Sequence, residues 1–419
     1  MPATVAPATP RERIAWALND VANSAFSLVI ITAVFPLYFA GVIVGPDAPP
    51  GRADQLWGYG IAISMALVAL SSPLMGTVAD RLGWRKQLLF AYTLVGALAT
   101  ASLAALSPGD IALGLALLII ANIAFEGSLV FYDALLPSVA TPAQIGRWSG
   151  IGWASGYLGS IFCLGLAAVF AAQGRLTPVF FIVATWWLAF SLPLFALVRD
   201  RAPRAAAAPA VFASLAATFR RIRQSPSLSR FFLAFFLYND GIATTIAFAA
   251  LYATTTLGFA QTEVLILLAV VQVSGAVGAF GFGLLADRIG HARTIVITLV
   301  IWCGVVVTAA FVTEKTTFWF VALAVGSVMG ATQSASRGFL ASVASAADAG
   351  ELFGFKAVAG KFSAVLGPLI FGAVSRATGN QRYALLAVGL LFIAGTALML
   401  TVDEHAARRD ATAPPRSRP

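Results

Sequence analysis

The sequence predicts an all-α membrane protein: twelve transmembrane helices in two pseudo-symmetric six-helix halves. Three observations carry this reading: a shortage of charge, a series of apolar runs of bilayer length, and an ordered internal repeat. Of 419 residues, 59% are hydrophobic and 11% are charged, where a soluble domain carries about 25% charged residues. Mean hydropathy is +0.86. Too few charged residues exist to build the shell of a water-soluble core of this length, so the composition excludes a soluble enzyme, a coiled coil and a disordered chain.

A bilayer-crossing helix needs about 20 mainly apolar residues. Twelve such segments are predicted, at 14–43, 57–79, 88–106, 111–136, 148–171, 178–198, 229–257, 264–286, 293–312, 317–340, 355–377 and 382–402. They divide the chain into an N-terminal arm (1–13), a six-helix bundle (14–198), a linker (199–228), a second bundle (229–402) and a tail (403–419). The linker carries Pro203, an alanine run and Pro226, with a short amphipathic helix expected at 211–223. The tail, rich in Arg and Pro, is expected to be disordered. The opening MPATVAPATPRER lacks the apolar core and cleavage site of a secretory signal, so the first helix is expected to direct insertion.

With both termini placed in the cytoplasm, 22 Lys and Arg residues fall inside and 5 outside. Positive charge concentrates on the cytoplasmic side of membrane proteins. The net charge of +9 is therefore a topology signal and not a nucleic-acid footprint. Arg residues far outnumber Lys and Ala is abundant, which points to a GC-rich bacterial genome and to the inner membrane. Cys163 and Cys303 lie in separate apolar runs and read as packed thiols.

The halves repeat. GTVADRLG (76–83) matches GLLADRIG (283–290), and LPSVA (136–140) matches LASVA (340–344) at an offset of 204 that also aligns Gly150 with Gly354 and Gly156 with Gly360. Asn19-Asp20 matches Asn239-Asp240 at an offset of 220, the difference fitting a longer first outer loop. Parallel repeats of this kind are the architecture of major facilitator transporters. The segment GTVADRLGWRK (76–86) resembles the signature of that superfamily, G-x-x-x-D-R-x-G-R-[KR], and GLLADRIGHAR (283–293) is its echo, with His291 and Ala292 at the basic positions. Gly83 and Gly290 would permit a turn with positive φ. Asp80 and Asp287 would end their helices, and Arg81, Arg85 and Lys86 would hold the loop at the anionic leaflet or pair with carboxylates and helix C-termini. One copy reads as a charged hairpin stop; two copies, with Arg288 in the second, read as a state-dependent latch.

A closer resemblance spans nearly the whole chain. WALNDVANSAFSLVIITAVFPLYF (16–39), FYDALLP (131–137), FLYNDGIATT (236–245), QSASRGFLA (333–341) and ELFGFKAVAGKFSAVLGP (351–368) resemble the vacuolar-effluxer-like (autophagy-related permease) branch. That branch typically opens Y-D-W-A-N-S, whereas Asn19 and Val21 stand at its aromatic positions here. The resemblance implies a twelve-helix permease with amino-acid export as its activity; a different solute follows only if the aromatics at those positions touch substrate.

Charged groups inside a bilayer cost roughly 2.5–3.5 kcal/mol each, so each needs a reason. Two layers are expected. Asp20, Asp133, Asp240 and Arg337 would form an inner gate, with Asp133 and Arg337 at equivalent repeat positions. Glu126 in helix four and Lys361 in helix eleven, deeper and from opposite halves, suit the ammonium and carboxylate of an amino acid; mutual neutralisation, or pairing of each with its neighbours, is the plainer alternative. Either Glu126 or Asp240 is a candidate proton carrier. Asn23, Asn122, Asn239, Gln272 and Gln333 read as interhelical hydrogen-bonding groups, with Asn23 and Asn239 set apart by their place in the paired first helices. The stretches GIGWASGYLG (150–159) and GAVGAFGFG (275–283) would let helices five and eight pack closely and slide. Pro36 and Pro368 are expected to kink their helices, Tyr38, Trp57, Tyr59, Trp186 and Trp187 to anchor at the interface, and His291 and His405 to lie at the inner surface.

No Walker loop, metal cluster or nucleophilic triad is legible, so neither ATP, a resident metal nor enzymatic activity is expected. The expected function is secondary active transport of a small polar solute by alternating access, in a monomer whose remaining partner is membrane lipid. A lipid scramblase or flippase, and a sensor that keeps a permease fold without turnover, stay open as alternatives.

Overall fold

The computed structural model describes residues 8–49, 52–171, 173–201, 211–345, 348–363 and 366–412. Every regular element among them is helical, and twelve helical segments are long and apolar enough to cross a membrane. These spans run Pro10–Val44, Gln55–Leu82, Arg85–Ala105, Ile111–Val139, Pro142–Ala171, Thr177–Leu197, Pro226–Ala249, Ile266–Ile289, His291–Phe311, Lys315–Val343, Ala349–Thr378 and Gln381–Met399. Several begin a few residues before the apolar run does, because a capped polar turn extends the hydrogen-bonded ladder beyond the hydrophobic stretch. In the first span, Thr9 and Glu12 form a reciprocal capping box around Pro10. In the seventh, Ser225 caps a helix that starts on Pro226.

The first span is not a plain α-helix. Phe26–Val34 and Phe39–Val44 adopt wide π-helical turns on either side of a short α-turn, Phe35–Tyr38, that contains Pro36. Proline removes one ladder donor, and the wider turns re-pair the backbone around it. Pro368 lies in the eleventh span within Leu366–Thr378, and residues 364–365, between that helix and Ala349–Ser363, lie outside the described residues.

The chain divides into two compact units. The first comprises Met1–Ala140, Ser155–Ala208 and Ala346–Gly354; the second comprises Thr141–Ala154, Pro209–Ser345 and Phe355–Pro419. The core of the first is aromatic and aliphatic: Phe26 packs against Phe125 and Trp187, and Phe35 against Phe180. In the second, Phe231 stacks on Phe339 and Trp302 on Phe392. Outward-facing Phe162, Val277 and Leu390 remain well exposed, the side-chain pattern of a surface solvated by lipid.

Three expectations from the sequence require correction. The tail is helical over Glu404–Thr412, because Glu404 is drawn into contacts described below; residues 413–419 lie outside the described residues. Trp187 and Tyr38 are core groups and not interface anchors: the indole donates to Asn23 Oδ1 (2.8 Å) and the phenol to the Leu106 carbonyl (3.0 Å), which satisfies their polar ends indoors. His291 is enclosed, at 1% exposure. The amphipathic linker helix is present at Val211–Gln224, whereas Pro203 and the alanine run lie outside the described residues.

Candidate functional site

In the first unit the polar residues of the first span meet the fourth and sixth. Trp16 stacks on Tyr132, with ring centroids 4.7 Å apart, and its indole N–H donates to the Tyr132 carbonyl. The Tyr132 hydroxyl in turn donates to Asp20 Oδ2 at 2.8 Å. Asn23 is held by Trp187. Asn19 is wholly buried, and neither its amide oxygen nor its nitrogen finds a partner. Gly156 and Gly159 in the fifth span press on this region, a Cβ at Gly156 coming within 2.5 Å of Ser24 Oγ. Asp133 is buried, and Glu126 is half-buried midway along the fourth span.

The end of the second span carries a denser charge cluster. Asp80 is buried and accepts from Arg85, its Oδ1 lying 2.6 Å from the guanidinium; Arg85 is fully enclosed and also approaches Asp200 at 3.7 Å. Arg85 therefore turns inward to the carboxylate and not outward to lipid headgroups. Lys86 donates to the Val198 carbonyl, capping the end of the sixth span at 2.9 Å. Arg81 is half-buried beside them, and Gly83 makes the turn with φ of 63°. Asp80 also accepts the backbone N–H groups of Gly350 (3.0 Å) and Glu351 (2.9 Å), at the start of the eleventh span. A carboxylate there answers both the unpaired amides and the positive end of the helix dipole.

The second unit contains the same device. Asp287, half-buried at the end of the eighth span, accepts the N–H groups of Gly146 (2.7 Å) and Arg147 (2.9 Å) at the start of the fifth. The sequence repeat predicts this equivalence, since Gly146 and Gly350 stand at the same 204-residue offset as the LPSVA and LASVA segments. Close backbone approach accompanies both: Gly283 Cα lies 3.1 Å from the Cβ position of Gly150, and Pro73 Cα 2.8 Å from that of Gly354. The two glycine-rich stretches thus meet each other at Gly150 and Gly283. Ala292 stands where the first signature has Arg85, and the tail supplies the missing polar partner: Glu404 accepts from the Ala292 N–H (2.9 Å) and lies 3.1 Å from His291 Nδ1. Arg288 is exposed, and Gly290 has φ of 93°.

Deeper in the second unit, Asn239 donates to Ser363 Oγ (2.7 Å) and accepts from Gln333 (3.2 Å). Asp240 is fully buried and accepts the Gly367 N–H at 2.8 Å. Arg337 donates to Ser149 Oγ (3.0 Å) and to the Ser149 carbonyl (2.7 Å), and lies over the Trp153 ring at 5.5 Å. Lys361 is half-buried. The sequence reading missed Tyr132, Ser149 and Gly367. Tyr132 sits inside the quoted FYDALLP segment, so its signal was present; Ser149 carries no motif.

The chain is similar to known transporters along its length. Residues 56–148 and 143–412 match the family described as vacuole effluxer Atg22 like. The MFS-type transporter YxiO of Bacillus subtilis (strain 168) is 33% identical over 94% of this chain and 95% of its own. Autophagy-related protein 22 of Coccidioides immitis (strain RS) is 26% identical over 84% of this chain and 73% of its own. Among solved structures, the human organic anion transporter MFSD10 (TETRAN) superposes with a TM-score of 0.74 at 17% identity, covering 93% of this chain and all of that one.

Proposed function

The chain belongs to the vacuole effluxer Atg22-like family of major facilitator transporters, multi-pass membrane proteins, and from that premise we propose that it is a secondary active carrier moving a small polar solute by alternating access. The observation that carries the reading is the recurrence of one latch in both repeats: Asp80 on the Gly350 and Glu351 amides, Asp287 on those of Gly146 and Arg147. Hydrogen bonds to a charged group contribute about 1.5–3 kcal/mol each. Two such bonds per latch match the few kcal/mol that separate the conformers of a switching protein. A carrier needs contacts of this size, firm enough to hold one state and weak enough to release.

The solute is an amino acid and the direction is export. Glu126 and Lys361, one in each repeat, supply the opposite charges that an ammonium and a carboxylate require. Asp20, Asn23, Asn239 and Asp240 line the first helices of the repeats; Asp133 and Arg337 belong with the latches, together with the Arg81, Gly83 and Arg85 loop and the Arg288 and Gly290 loop. The carrier is a monomer in a bacterial inner membrane with both termini cytoplasmic, and it uses no ATP.

Counterflow of labelled amino acids in proteoliposomes, with and without a pH gradient, tests the reading. Accelerated exchange is expected, lost in Glu126→Gln and in Lys361→Ala. Movement of fluorescent lipid without amino-acid exchange would identify a scramblase, and exchange undiminished in both variants would remove the charged pair from the solute site.

A further inference from the structure

We infer that the second unit holds a binding site for an alkali-metal cation, Na+ foremost, beside Gly367 of the eleventh span, with Asp240 and Thr244 as its side-chain ligands. The inference begins with an imbalance at Asp240. Its side chain is wholly withdrawn from solvent, yet no lysine or arginine among the described residues lies within ion-pair distance of it. Oδ2 is answered by the Gly367 N–H, whereas Oδ1 receives nothing from any protein group. A buried carboxylate answered by a single neutral N–H keeps its charge uncompensated, in surroundings where an unpaired ion costs several kcal/mol. That bond explains one oxygen of Asp240 and leaves the other without a reason.

A second bare oxygen stands beside it. Thr244, one turn further along the seventh span, is also fully buried and its Oγ1 has no partner. Both oxygens converge on Gly367: a Cβ there would collide with Thr244 Oγ1 and lie 3.0 Å from Asp240 Oδ1. The two oxygens thus come together against the bare Cα of Gly367, a contact that a side chain there would destroy. Carboxylate and hydroxyl oxygens are the hard ligands that small cations take.

Charge selects the class of ion. A single carboxylate balances one positive charge, whereas Ca2+ and Mg2+ sites draw on more anionic or hydrated ligand sets. The site lies wholly within one unit and needs nothing from the transport reading, although a cation bound there would supply that carrier with its coupling ion.

The test is cation binding to the purified full-length protein in nanodiscs, read as retention of radioactive sodium and as the thermal unfolding midpoint in chloride salts of Na+, Li+, K+ and N-methyl-D-glucamine at equal ionic strength. Sodium or lithium is expected to raise the midpoint over N-methyl-D-glucamine. Asp240→Asn is expected to weaken binding at least about tenfold. Thr244→Val, which keeps the shape and removes only the hydroxyl, is expected to weaken it severalfold, with Thr244→Ser restoring it; this pair carries the test if Asp240→Asn fails to fold. No alkali cation outperforming N-methyl-D-glucamine, or full binding in Thr244→Val and Asp240→Asn alike, overturns the site. Because the readout is binding and not flux, such a result leaves the carrier reading untouched, and loss of counterflow with binding intact does the reverse.

Discussion

Asp80 Oδ1 lies 2.6 Å from the Arg85 guanidinium, and the two side chains retain 2% and 0% of their solvent exposure. This ion pair is the hub of the first signature loop, because the same carboxylate holds the amides of Gly350 and Glu351. Removing one member of a buried pair strands the other and typically costs about 3–5 kcal/mol. Arg85→Met is therefore expected to destabilise the protein by that amount. The double variant Asp80→Asn/Arg85→Met should lose less than Arg85→Met alone, since no bare carboxylate remains. Denaturant midpoints in detergent for the two variants measure this; a double variant less stable than Arg85→Met would contradict the coupling.

Backbone proximity makes a separate prediction. A Cβ on Gly278 would strike the backbone of Ser327, whose Cα lies 2.5 Å away, and one on Gly326 would strike the Val271 backbone. Gly165 and Gly304 have nothing within 4 Å of that position. Overpacking of this kind costs about 1–3 kcal/mol. Gly278→Ala and Gly326→Ala should each lower the melting midpoint, whereas Gly165→Ala and Gly304→Ala should leave it unchanged or raise it, alanine being the better helix former. Equal effects at all four positions would show that the eighth and tenth spans do not pack through these glycines.

The contrast between these two regions marks how much the sequence made legible. Hydropathy located all twelve spans, and the repeat paired Asp80 with Asp287, whereas the amides that each carboxylate holds emerge only from the packing. What stayed hidden depends on rotation about a helix axis. Composition places Trp187 near a membrane surface, but only packing turns its indole toward Asn23; the basic residues of the first loop read as able to pair with carboxylates, but only packing selects Arg85 for Asp80. The Asp240 contact escaped for a different reason. Pro368 advertises a kink, yet the amide that pairs with Asp240 belongs to Gly367, and no local periodicity singles it out.

Asn19 offers a third test, one that separates stability from transport. Its amide is fully buried with both polar atoms unpartnered, a condition that costs about 1–3 kcal/mol. Asn19→Leu, close in volume and without polar atoms, is expected to raise stability by about 1–2 kcal/mol. A group kept at such a cost is expected to serve function, so counterflow should fall in the same variant. A stability loss would mean that the amide is satisfied in the folded protein, and unchanged counterflow would remove Asn19 from the solute path.

The tail helix gives a pH-dependent prediction. Glu404 lies beyond the last span, and its carboxyl is held down at about 2: burial pushes it up, but the hydrogen bond and charge of His291, the Ala292 amide and Arg408 outweigh that. A carboxyl depressed below its ordinary value of about 4.3 stabilises the folded arrangement above that value and stops doing so as the pH falls through the folded one. The docking of Glu404–Thr412 should therefore be intact at neutral pH, persist near pH 4, and fail only as the pH approaches 2. Glu404→Gln abolishes the charge at every pH, so its tail amides should exchange with solvent at least about tenfold faster than wild type at neutral pH, with the gap closing in strong acid. Hydrogen exchange of residues 406–410, corrected for the intrinsic pH dependence, reads both effects. Release of the wild-type tail near pH 6 would show that a different group holds it, since Glu404 remains ionised throughout that range.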